Sequence, residues 1–394
     1  MSAQEPQGEI ALEQATAPVH PKAAGPGEAD DAAPTDGVVL CLSGGGYRAM
    51  LFDLGALTRL NELGWLPKLD RISSVSGGSI TAGVLACRWH ELTFDVRGVA
   101  TNFAGEIAEP LRALAGRTID LPAIVLGSLL PGSTGNRLAG SYRRHLFGAM
   151  GLNDLPDRPR FVINATSLQS GVLWRFSRPY LWDWRVGEVR NPTTPLATAV
   201  AASSAFPPFL SPVVLRFRPS DFAPGTGAGL ERDEYRSRVV LTDGGVYDNL
   251  GLETAWKSAR TVLISDGGGH LHPTSRPWRF WPLQLYRVLG VIDNQVRSLR
   301  KRQAIGGFQA GVREGAYWGI RSHVSDYHLP DALPCRPEQT QRLADLKTRL
   351  ASMPDREQER LLNWGYAICD TAMRQHVVTG AIPPAGFPFP DAAL

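Results

Sequence analysis

Gly37-Val-Val-Leu-Cys-Leu42 runs straight into Ser43-Gly-Gly-Gly-Tyr-Arg-Ala-Met50, and Leu69-Asp-Arg-Ile-Ser-Ser-Val75 runs straight into Ser76-Gly-Gly-Ser79. Each apolar run is of strand length and stops at small residues. Behind the first, Met50, Leu51, Leu54, Leu57 and Leu60 make a helical stripe; behind the second, Ile80 to Trp89 is again apolar and helical. Strand, tight loop and helix, twice over, is the pattern of an α/β protein whose parallel sheet is covered by helices, because parallel neighbours need a crossover.

Working outward, strands are predicted at 160–164, 171–176, 238–242 and 260–265, and helices at 250–258, 284–304, 337–353 and 355–379. The stretches 118–140 and 218–229, rich in Pro and Gly, read as surface excursions. Residues 1–36 are Ala-, Pro-, Gly- and Glu-rich without periodicity and are expected to be a disordered tail. Residues 37–380 then form one catalytic-size domain ending in helices, and 381–394 a Pro-rich tail. No basic start with an apolar core marks a signal peptide, and no run reaches transmembrane length. The expected setting is cytoplasmic, with peripheral membrane contact open to it.

A formal charge of +3 on 394 residues gives no basis for a nucleic-acid partner. Cys41, Cys87, Cys335 and Cys369 lack metal-ligand spacing and read as reduced thiols. Neither a metal nor a cofactor is expected.

Ser74-Val-Ser-Gly-Gly78 is where a nucleophile fits. A sharp strand-to-helix turn lifts a serine hydroxyl above the sheet, small neighbours let the turn close, and the helix N-terminus offers N–H groups to developing charge. Ser76 is the apex, although Ser74 stands where a glycine is usual; Ser73, Ser74 and Ser79 are rivals. Gly44-Gly45-Gly46 opens a helix after a strand, so its successive N–H groups can converge on an oxyanion. It lacks the Lys-Ser/Thr pair and the spacing of nucleotide loops. Arg48 could brace this loop through backbone carbonyls or face an anionic head group. For the base, Asp243 in Leu241-Thr-Asp-Gly-Gly-Val246 follows a strand and would reach the same end of the sheet. Asp266 is a similar candidate, and His270, His323 and His328 satisfy the chain order of a Ser-Asp-His triad. Spacing alone does not choose between them.

Read together, these blocks resemble the patatin-like phospholipases, lipid acyl hydrolases related in catalytic arrangement to the cytosolic phospholipases A2. The blocks are Ser43 to Met50, the elbow at Ser76, Asp243-Gly-Gly245 and Ala201-Ala-Ser-Ser-Ala-Phe-Pro-Pro-Phe209. The resemblance covers about residues 38–270. It implies a three-layer α/β/α fold with a mostly parallel sheet and a Ser76–Asp243 dyad that leaves His270 a loop residue. It also implies oxyanion donors at Gly45, Gly46 and Gly77, an acyl-enzyme, and no calcium in the chemistry. A small-ester or thioester hydrolase and a non-catalytic membrane-associated protein that keeps the fold are the alternatives.

A lipid or phospholipid ester substrate requires an interface. Trp174 to Arg185 and Trp278 to Arg287 interleave aromatic and basic residues, as a headgroup layer favours. Leu121 to Leu130 is short enough for a lid or an acyl-channel wall. Core packing under arginine stems is the competing reading of all three.

Overall fold

The computed structural model describes residues 35–123 and 134–394. Ten strands make one sheet. They are β1 (Thr35–Leu42), β2 (Arg71–Val75), β3 (Arg160–Ser167), β4 (Leu173–Phe176), β5 (Tyr180–Asp183), β6 (Gly187–Arg190), β7 (Val213–Arg216), β8 (Arg238–Asp243), β9 (Ala259–Asp266) and β10 (Glu314–Gly319). The order is β10-β9-β1-β2-β3-β4-β5-β6, with β8 on β3 and β7 on β8.

Alternation along β1 divides the interior into two layers. Leu40 and Leu42 enter the larger core with Met50, Leu54 and Leu57 of α1 (Gly46–Glu62). Val39 and Cys41 point the other way, into a core closed by Leu252, Trp256 and Ala304. Helices therefore cover both faces, and the fold is a mixed α/β sandwich of three layers. The second strand-loop-helix unit continues into α2 (Gly77–Arg88). Further along the chain come α3 (Leu196–Ser203), α4 (Trp281–Gln309) and α5 (Asp355–His376).

The sheet is less parallel than expected. β10, β9, β1, β2 and β3 are parallel neighbours. β4, β5 and β6 form successive antiparallel hairpins, and β8 meets both β3 and β7 antiparallel. Connections of a few residues between β3 and β6 cannot return a strand to parallel alignment. The aromatic-basic stretch at Trp174 lies in these hairpins, where Trp174, Phe176 and Tyr180 are buried in the interior.

Several boundaries also differ. β1 starts at Thr35, two residues inside the expected tail, because Thr35 pairs with Ala259; residues 1–34 lie outside the described ones. The helix expected over 337–353 stops at Ala344. Beyond it, Leu346 O and Arg349 O accept hydrogen bonds from Arg48 and the Tyr47 N–H, which a helix would have used internally. Residues 381–394 dock: Asn363 Nδ2 donates to Phe389 O and Ala392 O at 2.8 and 3.0 Å. Of the Leu121–Leu130 run, residues 124–130 lie outside the described residues. All four cysteines are free thiols. Among the described residues no helix is long and apolar enough to cross a membrane.

α1 carries the glycine loop at its N-terminus, and α5 holds α1 in place. The two cross where backbone meets backbone: a Cβ on Gly365 would lie 1.9 Å from Phe52 O, and one on Gly55 2.0 Å from Leu362 O. Gly55→Ala and Gly365→Ala should each therefore cost about 3 kcal/mol or more in urea unfolding. Unchanged midpoints would show that the crossing is not tightly packed.

Candidate active site

β2 runs parallel to β3 and ends with Val75 opposite Asn164. β8 runs antiparallel to β3 and ends with Asp243 opposite Ala165. Ile163 and Asn164 pair with both β2 and β4, and Ala165 and Thr166 with both β8 and β4, so β2 and β8 share the other edge of β3. The two strands approach head-on and stop at adjacent residues, leaving Ser76 and Asp243 at the junction.

Ser76 lies at the elbow with φ 51° and ψ −117°. A non-glycine residue occupies that region only where its surroundings impose it. Its N–H donates to Ser203 Oγ at 2.9 Å, and Ser203 Oγ donates to Asn164 O at 2.6 Å. The rival serines are buried and engaged: Ser73 Oγ donates to Gly251 O at 2.7 Å, and Ser79 Oγ to Ser74 Oγ at 2.9 Å. The segment Ser203 to Ala205 also grips the other loop. The Asp243 N–H donates to Ala205 O at 3.1 Å and the Gly244 N–H to Ser203 O at 3.2 Å.

The glycine loop lies against the elbow. A Cβ on Gly77 would stand 2.2 Å from Gly46 O, and one on Gly44 3.1 Å from Ser76 Cβ. Gly45 and Gly46 have φ of 152° and 59°, conformations a side chain would strain. The Gly44 N–H donates to Asn249 O at 3.1 Å. Gly44 is thereby removed from the expected donor set, since its amide is spent on fixing the loop. The N–H groups of Gly45, Gly46 and Gly77 open the first turns of α1 and α2, where no intrahelical acceptor exists. Arg48 is buried; it donates through Nε to Gly267 O at 3.1 Å and through Nη1 to Leu346 O. Of the two roles open to it, the geometry shows the brace.

The Asp243 carboxyl is buried. Oδ1 accepts the Gly245 N–H at 2.7 Å, whereas Oδ2 has no well-aligned donor. Burial pushes the carboxyl up to about 7, partly offset by the Gly245 N–H and by a hydrogen bond from the adjacent Ser76 hydroxyl, with Asp293 adding to the rise. Serine and carboxyl are thus neighbours whose alignment is incomplete, as is common before substrate binds. Asp266 is occupied otherwise: it accepts the Gly268 N–H and the Tyr317 hydroxyl at 3.0 and 2.8 Å. His270 lies on the wall of the cleft, exposed, with its ring against His272. His323 and His328 flank a short turn at Val324–Tyr327.

Ser76 and the glycine loop form the floor of a cleft of about 560 Å³. One wall is apolar, with Leu121, Phe206, Phe209 and Leu210; another comes from α4, with Tyr286, Gly290, Asp293 and Arg297. Sequence reasoning singled out Ser76, the glycine loop and Asp243, which the fold brings together, but missed the α4 wall and the clamping by Ser203 and Asn249. The segment containing Ser203 was visible as a motif, whereas nothing in the pattern marked Asn249.

A serine at a strand-helix elbow, beside a glycine loop and a buried carboxyl on an α/β fold, is an arrangement found among hydrolases. Residues 40–256, more than half of the chain, match the sequence profile described as patatin-like phospholipase, and the chain belongs to that family. Comparison with curated proteins gives no match. Among solved structures it is similar to human GIVD cytosolic phospholipase A2, with 14% identity and a TM-score of 0.47, over 92% of this chain and 63% of that one. It is also similar to VipD from Legionella pneumophila, with 15% identity and a TM-score of 0.34, over 88% and 68%.

Ser203→Ala would leave the buried Ser76 N–H unpaired. It should cost about 1–3 kcal/mol in urea unfolding and lower ester turnover. A variant with wild-type stability and rate would show that the clamp does not set the elbow.

Proposed function

We propose that this protein hydrolyses carboxylic esters of lipids, with Ser76 as nucleophile and Asp243 as base. Family membership supports hydrolase activity in general, and the observation that carries the finer reading is the incompletely paired Asp243 carboxyl beside the strained Ser76. Ser76 Oγ forms a bond to the ester carbonyl carbon as its proton passes to Asp243. The carbonyl oxygen becomes an oxyanion, for which Gly45, Gly46 and Gly77 are the available donors. Collapse breaks the carbon–oxygen bond to the alcohol, which leaves with the proton from Asp243. Water then bonds to the acyl carbon as its proton passes to Asp243, and collapse breaks the bond to Ser76 Oγ, which takes that proton back as the acid leaves.

An exposed aspartate is too weak a base for this work. Burial supplies the basicity, and a value near 7 suits a group that must accept and return a proton near neutral pH. The apolar wall of the cleft favours an acyl chain over a polar substrate.

Ser76→Ala should reduce fatty-acid release from phospholipid vesicles and from a short soluble ester by at least about a thousandfold. Equal rates in the two proteins would remove Ser76 from the mechanism. Hydrolysis of the soluble ester alone by the wild type would point to an esterase without preference for lipids.

The base needs Asp243 ionised, so kcat/KM should rise with pH through about 7 and level off above it. Asp243→Asn should abolish turnover at every pH, while His270→Ala retains it. The stability sign is opposite. Because the folded carboxyl titrates above its ordinary value of 3.8, its ionisation costs stability increasingly from about pH 4 to about 7. Asp243→Asn should accordingly be more stable than wild type at pH 8, by about 4 kcal/mol at most. Urea unfolding at pH 5 and pH 8 tests this, and no widening of the gap would contradict a buried ionising carboxyl.

A further inference from the structure

α4 is 29 residues long, yet only Arg300, Ala304 and Gly307 in its C-terminal half are buried. Those residues anchor it: Arg300 donates to Glu253 at 2.9 Å, and Gly307 lies against the Trp256 ring. The N-terminal half is different. From Trp281 to Ile292 it carries a single charge, Arg287. Leu283, Leu285, Val288, Leu289, Val291 and Ile292 are all exposed, and at helical spacing they point to several sides. Just before it, Trp278, Phe280 and Trp281 are 71%, 62% and 70% exposed. A helix that is apolar on most sides is normally embedded in something, and this one has no cover among the described residues.

Charge identifies the cover. Residues 270–292 contain three arginines and two histidines and no carboxylate. Arg276 and Arg279 are exposed beside the aromatic cluster. Aromatic rings and arginines beside an apolar helix match the headgroup layer above a hydrocarbon interior. Twelve apolar-rich residues span about 18 Å, too short to cross a bilayer. Position completes the argument, because Tyr286 and Gly290 of the same helix line the cleft that also holds Ser76 and the exposed Phe206 and Phe209.

We infer that residues 278–292 dock the protein on an anionic lipid surface, with the N-terminal half of α4 submerged in one leaflet and the mouth of the cleft brought to the lipid. The inference rests on the lipid-ester reading for the identity of its partner. An acyl chain would then reach Ser76 along a continuous apolar path from lipid to cleft.

The test uses the full chain. On a Ser76→Ala background, which leaves lipid intact, flotation is measured with vesicles of phosphatidylcholine and of phosphatidylcholine with roughly a fifth phosphatidylglycerol. The protein should float with the anionic vesicles, and Trp278→Ala/Phe280→Ala/Trp281→Ala should reduce binding by at least about tenfold. Arg276→Gln/Arg279→Gln should lose the preference for anionic vesicles. With Ser76 intact, both variants should hydrolyse a short soluble ester at the wild-type rate, which shows that the fold and cleft are preserved. Undiminished flotation of the triple variant, or no flotation of the parent, would overturn the inference. So would a dimer in light scattering that the triple variant abolishes while flotation is absent, since the face would then bind a second copy. Failure of every Ser76-intact protein on the soluble ester and on phospholipid vesicles alike would sink the hydrolase reading instead, and flotation would still report on this surface.

Discussion

One edge of β3 sets the geometry of the whole site. That edge offers a single line of backbone hydrogen bonds, and two strands divide it: β2 takes the part up to Asn164, and β8 arrives from the other end as far as Ala165. Two strand ends meeting on one edge must point at each other, so the residues after them are brought close without any long side chain bridging a gap. Neither strand can slip along β3 without losing ladder bonds and turning its side chains to the wrong face. β8 can meet the end of β2 with its own end only by running against β3, which accounts for the antiparallel β3–β8 pair.

Such a junction leaves groups in costly states. Ser76 is strained, and Asp243 is a carboxyl with one oxygen poorly satisfied away from water. The surroundings hold both by backbone-to-side-chain bonds that cross between elements. Ser203 receives the Ser76 N–H, while its own carbonyl and that of Ala205 receive the Gly244 and Asp243 N–H groups. Thr166 Oγ1 donates to Asp243 O at 2.8 Å. On the opposite side the glycine loop is fixed by Arg48, whose charge is directed at two carbonyls and not at the cleft. Rigidity comes from around the site, and Oδ2 of Asp243 is left without a well-aligned donor.

The sequence is legible where local chemistry forces a local answer. Gly44-Gly45-Gly46 and Ser76-Gly77-Gly78 each follow an apolar run and precede a helical stripe, and both turns lie where that pattern puts them. β8 and β9 were equally visible as apolar runs ending at Asp243 and Asp266. What the chain does not print is direction and partnership. β4 and β5 contain Trp174, Arg175 and Trp182, a mixture that fits a headgroup layer or a core under arginine stems until Trp174 is placed in the interior and Arg175 is laid over the Trp182 ring. Residues 345–353 read as helix because their periodicity is adequate; the carbonyls of Leu346 and Arg349 are claimed by α1, some 300 positions earlier in the chain. Asn249 likewise has meaning only because its carbonyl receives the Gly44 N–H.

The electrostatics of the cleft follow from burial more than from charge pairing. Asp243 and Asp293 are both pushed up, first by loss of water; for Asp293 the Arg297 guanidinium opposes the shift, whereas Asp243 has only a backbone N–H and the Ser76 hydroxyl to do so. A carboxyl beside an arginine stays ionised and gives up its proton too readily to act as a base of moderate strength. A carboxyl held by one N–H and one hydroxyl in a dry site is a stronger base, and the hydroxyl that stabilises its anion is the one whose proton it would take. In this cleft the Arg297 guanidinium of α4 acts on Asp293, and no cation opposes the rise at Asp243. The head-on meeting of β2 and β8 therefore does two things at once: it brings Ser76 next to the carboxyl, and it buries that carboxyl, which is what raises it.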